Sequence, residues 1–429
     1  MNRKLLLFAF ALSSTLSSIA SDFISGGIRY EIESYSSDNE VYVIPLGGTD
    51  YPFDPSITAK YSGVVTIPDS VNYNGVDYEV VGISAYSFYG CGVTSVTIEE
   101  GLYYINEYAF ASCPMLTSVT IPNSVRFIAS DAFSNTAWYD SQPDGLVYLG
   151  KAAYKYKGTM PENSSIVIKD GTVSISECAF SKCENLVSIE CPSSLISVGA
   201  YAFSGCKNLS AISVNDSLTS IGIDAFDDTA WYDSQSDGVI YLGSMFYGYK
   251  GGVLFKDTLT VKDGTKTINR QSFTRQSIIK ALVIPEGVYI IGVEAFYHCD
   301  NLESVTLPSS LNYIAPSAFA ECNKIKEVTI SALTPPSLMS SVDLFSSTAY
   351  ANAVLYVPAE SVNAYKAADG WSSFSKIQAI GTTDVALIGS DNTAVEYYDL
   401  SGKMIDAPQS GFNIIKYSNG QTKKVFIEE

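Results

Sequence analysis

A β-solenoid of stacked 22–23-residue turns is the fold that this 429-residue sequence predicts, with a parallel sheet along the stack and a small antiparallel β-domain at its C-terminal end. Three observations carry that reading. Phenylalanine returns at positions 88, 110, 133, 180, 203, 226, 273, 296 and 319, in steps of 22 or 23 residues broken by two steps of 47. The phrase TAWYDSQPDGLVYLG (136–150) reappears 93 residues later as TAWYDSQSDGVIYLG (229–243), with twelve of fifteen letters unchanged. A pattern V-x-I-P-x-S-V-x-x-I-x-x-x-A-F-x-x-C-x-x-L recurs around the phenylalanines, as in SVTIPNSVRFIASDAF ending at Phe133 and SVTLPSSLNYIAPSAF ending at Phe319. A fixed period of this length marks repeat architecture, and such a unit buries its apolar positions only by stacking on copies of itself.

The chain opens with Arg3 and Lys4 ahead of the apolar run LLLFAFAL, then small residues up to Ala20. That is the pattern of a secretory signal peptide, residues 1–20, cleaved after Ala20. No other stretch approaches the roughly 20 apolar residues of a membrane helix, so the mature chain is expected to lack a transmembrane segment and to be secreted or held at the cell surface. Without Arg3 and Lys4, 24 basic residues stand against 45 acidic ones, a net charge of −21. Such a surface repels phosphate backbones and excludes nucleic acid as a partner.

Residues 21–62 hold IRYEIES and EVYVIP, which read as paired strands forming an N-terminal β cap. Residues 63–331 form the solenoid. In each unit V-x-I alternates inward as a short strand, and Ala-Phe follows a tight turn in which Phe fills the interior. Two ordinary steps and one long step sum to 93 residues, close to four turns, so each phrase reads as part of a fourth turn that has lost its Ala-Phe; a loop insertion is the rival reading. Residues 332–380 contain LYVPAESVNAYKAADGW, a strand and short helix that would cap the other end, since an open solenoid end is an unpaired edge. Residues 381–429 carry short alternating strands and an Asn419-Gly420 hairpin turn, the small terminal β-domain.

The repeated A-F-x-x-C-x-x-L-x-x-V-x-I-P phrase, over about residues 63–331, resembles the BspA-like leucine-rich repeat family of Bacteroides-type surface proteins. The resemblance implies a right-handed, β-rich leucine-rich repeat solenoid on an exported protein. It also implies adhesin-like binding of host or bacterial surface components, and no catalytic site. The tail resembles the C-terminal sorting domains of Bacteroidetes secreted proteins in YYDLSGK, Pro408, Gly411 and KKVFI. Ser70, Ser217, Thr229 and Thr258, each between Asp and an apolar residue, resemble the O-glycosylation sites of these bacteria.

Residues that could carry chemistry are few. His298 is the one histidine, and it holds a turn position filled elsewhere by Gly90, Ser112, Lys182, Gly205 and Glu321, so a Cys-His pair with Cys299 is not the expected reading. Cys91, Cys113, Cys183, Cys206, Cys299 and Cys322 each follow a phenylalanine by three residues. Zinc is disfavoured because the ligands would form a line rather than a tetrahedral cage. Buried free thiols are favoured over turn-to-turn disulfides, because stacked side chains run parallel. Asp144, Asp170, Asp237 and Asp263 precede glycine and read as turn residues. No enzyme activity, cofactor or metal is expected.

The outward residue of V-x-I forms a row: Thr66, Thr97, Thr120, Val167, Glu190, Ser213, Thr260, Val283, Thr306 and Thr329. Threonine suits any exposed strand; a hydroxyl-rich binding strip that includes Thr120 and Thr260 is the functional alternative. If LVYL and VIYL are strands of the same sheet, Tyr148 and Tyr241 join that row, beside Trp138 and Trp231. These aromatics would then either stack on a sugar or protein partner or pack the irregular turn. The partner expected is a surface protein, with a surface glycan as the alternative.

Overall fold

The computed structural model describes residues 22–32, 39–46, 60–251, 257–338 and 344–380, and the strands within 394–427. The signal peptide (1–20) and the Asn419-Gly420 turn lie outside the described residues.

The chain winds as a parallel β-solenoid. Most turns place a strand of three to seven residues on one face and a two-residue strand on another. The longer strands form three separate parallel sheets: Ser62–Ile67 with Gly92–Ile98 and Ser118–Thr120, Ser164–Val167 with Leu186–Glu190 and Ala211–Ser213, and a six-stranded sheet from Thr258–Thr260 to Lys376–Ala379. Inward residues such as Val96, Ile98, Val305 and Leu307 are buried, while Thr66, Thr120 and Thr260 between such positions are exposed. Thr66, Thr97 and Thr120 pair in register, as do Thr260, Val283, Thr306 and Thr329, so the outward row exists in segments.

The third side of each turn is the Ala-Phe corner. All nine repeat phenylalanines are at most 1% exposed. Phe88, Phe110 and Phe133 stack at 4.7 and 5.1 Å, Phe180, Phe203 and Phe226 at 5.2 and 5.1 Å, and Phe296 on Phe319 at 5.3 Å. At every one of the nine corners, the residues two before and two after Phe adopt left-handed backbone, with φ between 50° and 74°. Only two of those eighteen positions are glycine, Gly90 and Gly205. The left-handed conformation costs an L-residue about 1–2 kcal/mol. What holds it is the stack: the Phe110 N–H donates to the Ala132 carbonyl one turn on, at 2.8 Å, and Phe180 to Ala202 at 2.7 Å. On the short-strand face neighbouring turns approach so closely that a Cβ on Gly222 would meet the Ala200 backbone nitrogen at 2.2 Å.

At the N-terminal end, Ile28–Ile32 pairs antiparallel with Glu40–Ile44, which joins Val76–Ile83 in parallel and so covers the first turn. At the other end, Val354–Val357 and Lys376–Ala379 add two parallel strands to the sheet, and Phe345 stacks on Phe319 at 5.1 Å. The segment 332–380 therefore prolongs the solenoid as well as closing it. Beyond it, Ala394–Tyr398, Met404–Ile405, Gly411–Tyr417 and Thr422–Ile427 form a small antiparallel sheet.

Candidate binding surface

The duplicated phrase builds the two irregular turns. Thr136 takes the slot that cysteine holds in other repeats. Its hydroxyl donates to the Phe133 carbonyl at 2.8 Å and accepts the Tyr139 N–H at 3.1 Å, which caps the helical turn Ala137–Asp140. A thiol donates only weakly, and the cap needs a good acceptor as well. Thr229 does the same for Phe226, Tyr232 and the helix Ala230–Asp233. Lys157 Nζ closes the far end of the first helix by donating to the carbonyls of Tyr139, Asp140 and Gln142, and Lys250 repeats this on Tyr232, Asp233 and Gln235.

The helical turn stands where a longer strand would come, and this is why that sheet is interrupted. Gly145–Leu149 then pairs antiparallel with Ala152–Lys157, whose first two residues join the two-residue strands in parallel register with Ser174 and Ile175. Next, the Tyr156 N–H donates to the Ala179 carbonyl, the bond that phenylalanine makes at an ordinary corner. Tyr156 packs against Phe180 at 6.2 Å, and Tyr249 packs against Phe273 at 5.1 Å. The phrase therefore belongs to a true fourth turn, with tyrosine in the phenylalanine place and a hairpin added on one face.

This corrects the placement of Tyr148 and Tyr241. Their neighbours Val147, Leu149, Ile240 and Leu242 are buried, as alternation requires, but these strands belong to the hairpins and not to the V-x-I sheet. Neither tyrosine stands in the threonine row. Both are half-buried, and their hydroxyls accept backbone N–H groups, Tyr148 from Lys169 at 3.0 Å and Tyr241 from Lys262 at 2.9 Å. Trp138 lies edge-on to Phe133 at 5.4 Å, and Trp231 edge-on to Phe226 at 5.2 Å and Tyr247 at 5.6 Å. The duplicated aromatics are engaged in packing.

The eight cysteines are free thiols. Those of Cys113, Cys206, Cys299 and Cys322 donate to the phenylalanine carbonyl of the preceding turn, at 2.9, 3.0, 3.4 and 3.1 Å. Burial pushes Cys113 and Cys206 up to about 12 and Cys183 up to about 11. His298 is half-exposed at φ 56° and meets the Asp300 carboxylate at 3.1 Å, while the Cys299 thiol points to a carbonyl in the core. Among the proposed modification sites Ser70, Ser217 and Thr258 are exposed, but Thr229 is fully buried and its hydroxyl is committed to the cap. Among the described residues no cluster of three or more His, Cys, Asp or Glu side chains is arranged to hold a metal, and no helix is long and apolar enough to cross a membrane.

One concavity escaped the sequence reading. A cavity of about 240 Å³ opens beside the second irregular turn, lined among others by Asp224, Asp227, Tyr232, Gly248, Arg270 and Ser272. The signal was present in the comparison of the two 93-residue copies, because Lys155 and Glu177 of the first become Gly248 and Arg270 in the second.

The profile of the BspA type leucine rich repeat region matches in six copies, over residues 81–159, 148–236 and 255–352, more than half of the chain. No curated protein matches. Among solved structures, a leucine-rich repeat protein from Bacteroides ovatus is 22% identical, covering 84% of this chain and 100% of its own, with a TM-score of 0.26. A leucine rich cell surface protein from Faecalibacterium prausnitzii is 17% identical, covering 86% and 97%, with a TM-score of 0.27. The pneumococcal vaccine antigen PcpA is 16% identical, covering 85% and 99%, with a TM-score of 0.25.

Proposed function

Because the chain belongs to the BspA-type leucine-rich repeat family, we propose that it is an exported, adhesin-like protein that binds other surface proteins along its longer-strand face. The observation that carries this reading is the register of the six-stranded sheet, which aligns Thr260, Val283, Thr306, Thr329, Tyr356 and Gln378 in one outward row. At about 4.8 Å per strand that row runs for about 24 Å. It offers hydroxyls, an aromatic ring and an amide without a lysine or arginine, a composition suited to a protein contact. Exposed apolar side chains, Val64 at 75% and Val167 at 70%, mark the same face of the other two sheets. Export follows from the leader ending at Ala20, and retention at the surface from the tail resembling a sorting domain.

A glycan stacked on Tyr148, Tyr241, Trp138 and Trp231 is the weaker reading, since packing and backbone hydrogen bonds already engage those side chains. The test is a panel of immobilised extracellular-matrix and bacterial surface proteins, probed with the wild-type chain and with Thr306→Lys/Tyr356→Lys. Binding to at least one protein that survives its deglycosylation, and falls tenfold or more in the double variant at unchanged melting temperature, is the expected result. Binding that the double variant leaves untouched refutes the face, and binding abolished by deglycosylation refutes the protein partner.

A further inference from the structure

The two irregular turns are the same structure built twice, so the first serves as the reference for the second. In the first, Lys155 fills the corner and its Nζ pairs with Asp131 Oδ1 at 2.5 Å. Glu177 is buried beside it and accepts the Ser130 N–H at 3.2 Å. In the second, the equivalent of Lys155 is Gly248, and a Cβ placed there would meet nothing within 4 Å. The lysine that would neutralise Asp224 is gone. Burial and the neighbouring Asp227, where the first copy has Ser134, push the Asp224 carboxyl up from its usual range. Glu177 is replaced by Arg270 and Ala179 by Ser272.

Two of these replacements leave a buried polar atom unpaired inside the chain. Arg270 Nε and Ser272 Oγ are buried without a hydrogen-bond partner, and Ser272 is only 5% exposed. Leaving a buried polar atom unpaired costs about 1–3 kcal/mol. Both line the cavity. A cavity opened by deleting one side chain, acids at its rim and unsatisfied donors in its wall is a built site, because orphaned polar groups of this kind are satisfied by a ligand or by water.

The lining identifies the chemistry. Asp224 and Asp227 repel an anion, and Arg270 repels a metal ion or an amine. Acceptors on one side and donors on the other suit a neutral group rich in hydroxyls, flanked by ring surface from Tyr232, Tyr247 and Tyr249. The volume is below the roughly 300–1,000 Å³ of sites for drug-sized molecules, and so it admits a single ring. We infer that the cavity between the second irregular turn and the Phe273 turn binds one saccharide unit, such as the end of a glycan chain. The site is separate from the longer-strand face, and neither reading depends on the other.

The experiment is saturation-transfer NMR on the full chain with glucose, galactose, mannose, fucose and N-acetylglucosamine, and with serine and acetate as the zwitterionic and anionic controls. Gly248→Lys rebuilds the first copy's corner and plugs the cavity. The expected result is transfer to at least one sugar in the wild type, reduced tenfold or more by Gly248→Lys at unchanged melting temperature. Should Gly248→Lys fold poorly, Ser272→Ala and Arg270→Gln take its place, and each is expected to weaken the signal at least threefold. Transfer to no sugar, sugar signals unchanged in these variants, or a signal from serine or acetate alone that the plug removes would each overturn the assignment.

Discussion

Replacing Phe203 tests the stacking register directly. Its ring is 1% exposed and lies between Phe180 and Phe226 at 5.2 and 5.1 Å, with interplanar angles of 8° and 3°. Phe203→Ala removes a fully buried ring and leaves a cavity that two neighbours held by their own corners cannot collapse into, at a cost of about 3–5 kcal/mol. Phe203→Leu keeps most of the apolar volume and loses two stacked pairs, each worth about 0.5–1.5 kcal/mol, so about 1–3 kcal/mol is expected. Urea denaturation followed by circular dichroism gives both values. Amide hydrogen exchange adds the location, because the Phe180 and Phe203 N–H groups donate to the next corners at Ala202 and Ala225 and should lose protection first. Phe203→Ala within 1 kcal/mol of wild type would refute the ladder. A leucine variant as unstable as alanine would show that shape and not aromatic pairing sets the corner.

The solenoid and its corners were legible because burial forces the period: an interior one ring wide repeats Phe at every turn, and the Thr row follows from strand alternation. The irregular turns were half legible. Tyr156 and Tyr249 lie 23 residues after Phe133 and Phe226, on the period, yet no alanine precedes them and the aromatic-rich hairpin hides them. The strand Gly145–Leu149 alternates correctly, but alternation does not reveal which sheet a strand joins, and this misplaced Tyr148 and Tyr241. The left-handed pairs flanking each Phe left no mark, since Tyr, Asp and Glu each occupy them at least as often as glycine does; the stack, and not local propensity, fixes that backbone. The cavity is a matter of what Gly248 leaves out, and omission has no motif.

Three further outcomes follow from the contacts. Thr136→Val keeps the shape but loses the bonds to Phe133 and Tyr139, so it should cost about 1–2 kcal/mol and expose the Tyr139 amide to exchange, with Thr229→Val behaving alike. The buried thiols hold their protons more tightly folded than unfolded. Their contribution is therefore complete below the ordinary thiol range near 9 and is lost as pH rises through 11 to 12; the melting temperature should fall across that window, and less so in Cys113→Ala/Cys206→Ala. A melting curve flat from pH 9 to 11 would refute this. Tyr148 and Tyr241 decide between platform and architecture. A platform loses affinity on Tyr→Ser and keeps its melting temperature. Here each hydroxyl holds the N–H just after an outward-row strand, at Lys169 and Lys262, and each ring packs on the core beneath. Tyr→Ser removes both, so each single change should cost about 2–4 kcal/mol. Tyr→Phe, which keeps the ring, should cost only about 0.5–1.5 kcal/mol, because the freed amide lies at the surface. The two sites are four turns apart and share no neighbour, so the double variant should be additive within about 0.5 kcal/mol. Unchanged melting with weakened binding in the Tyr→Ser variants would return both tyrosines to the ligand.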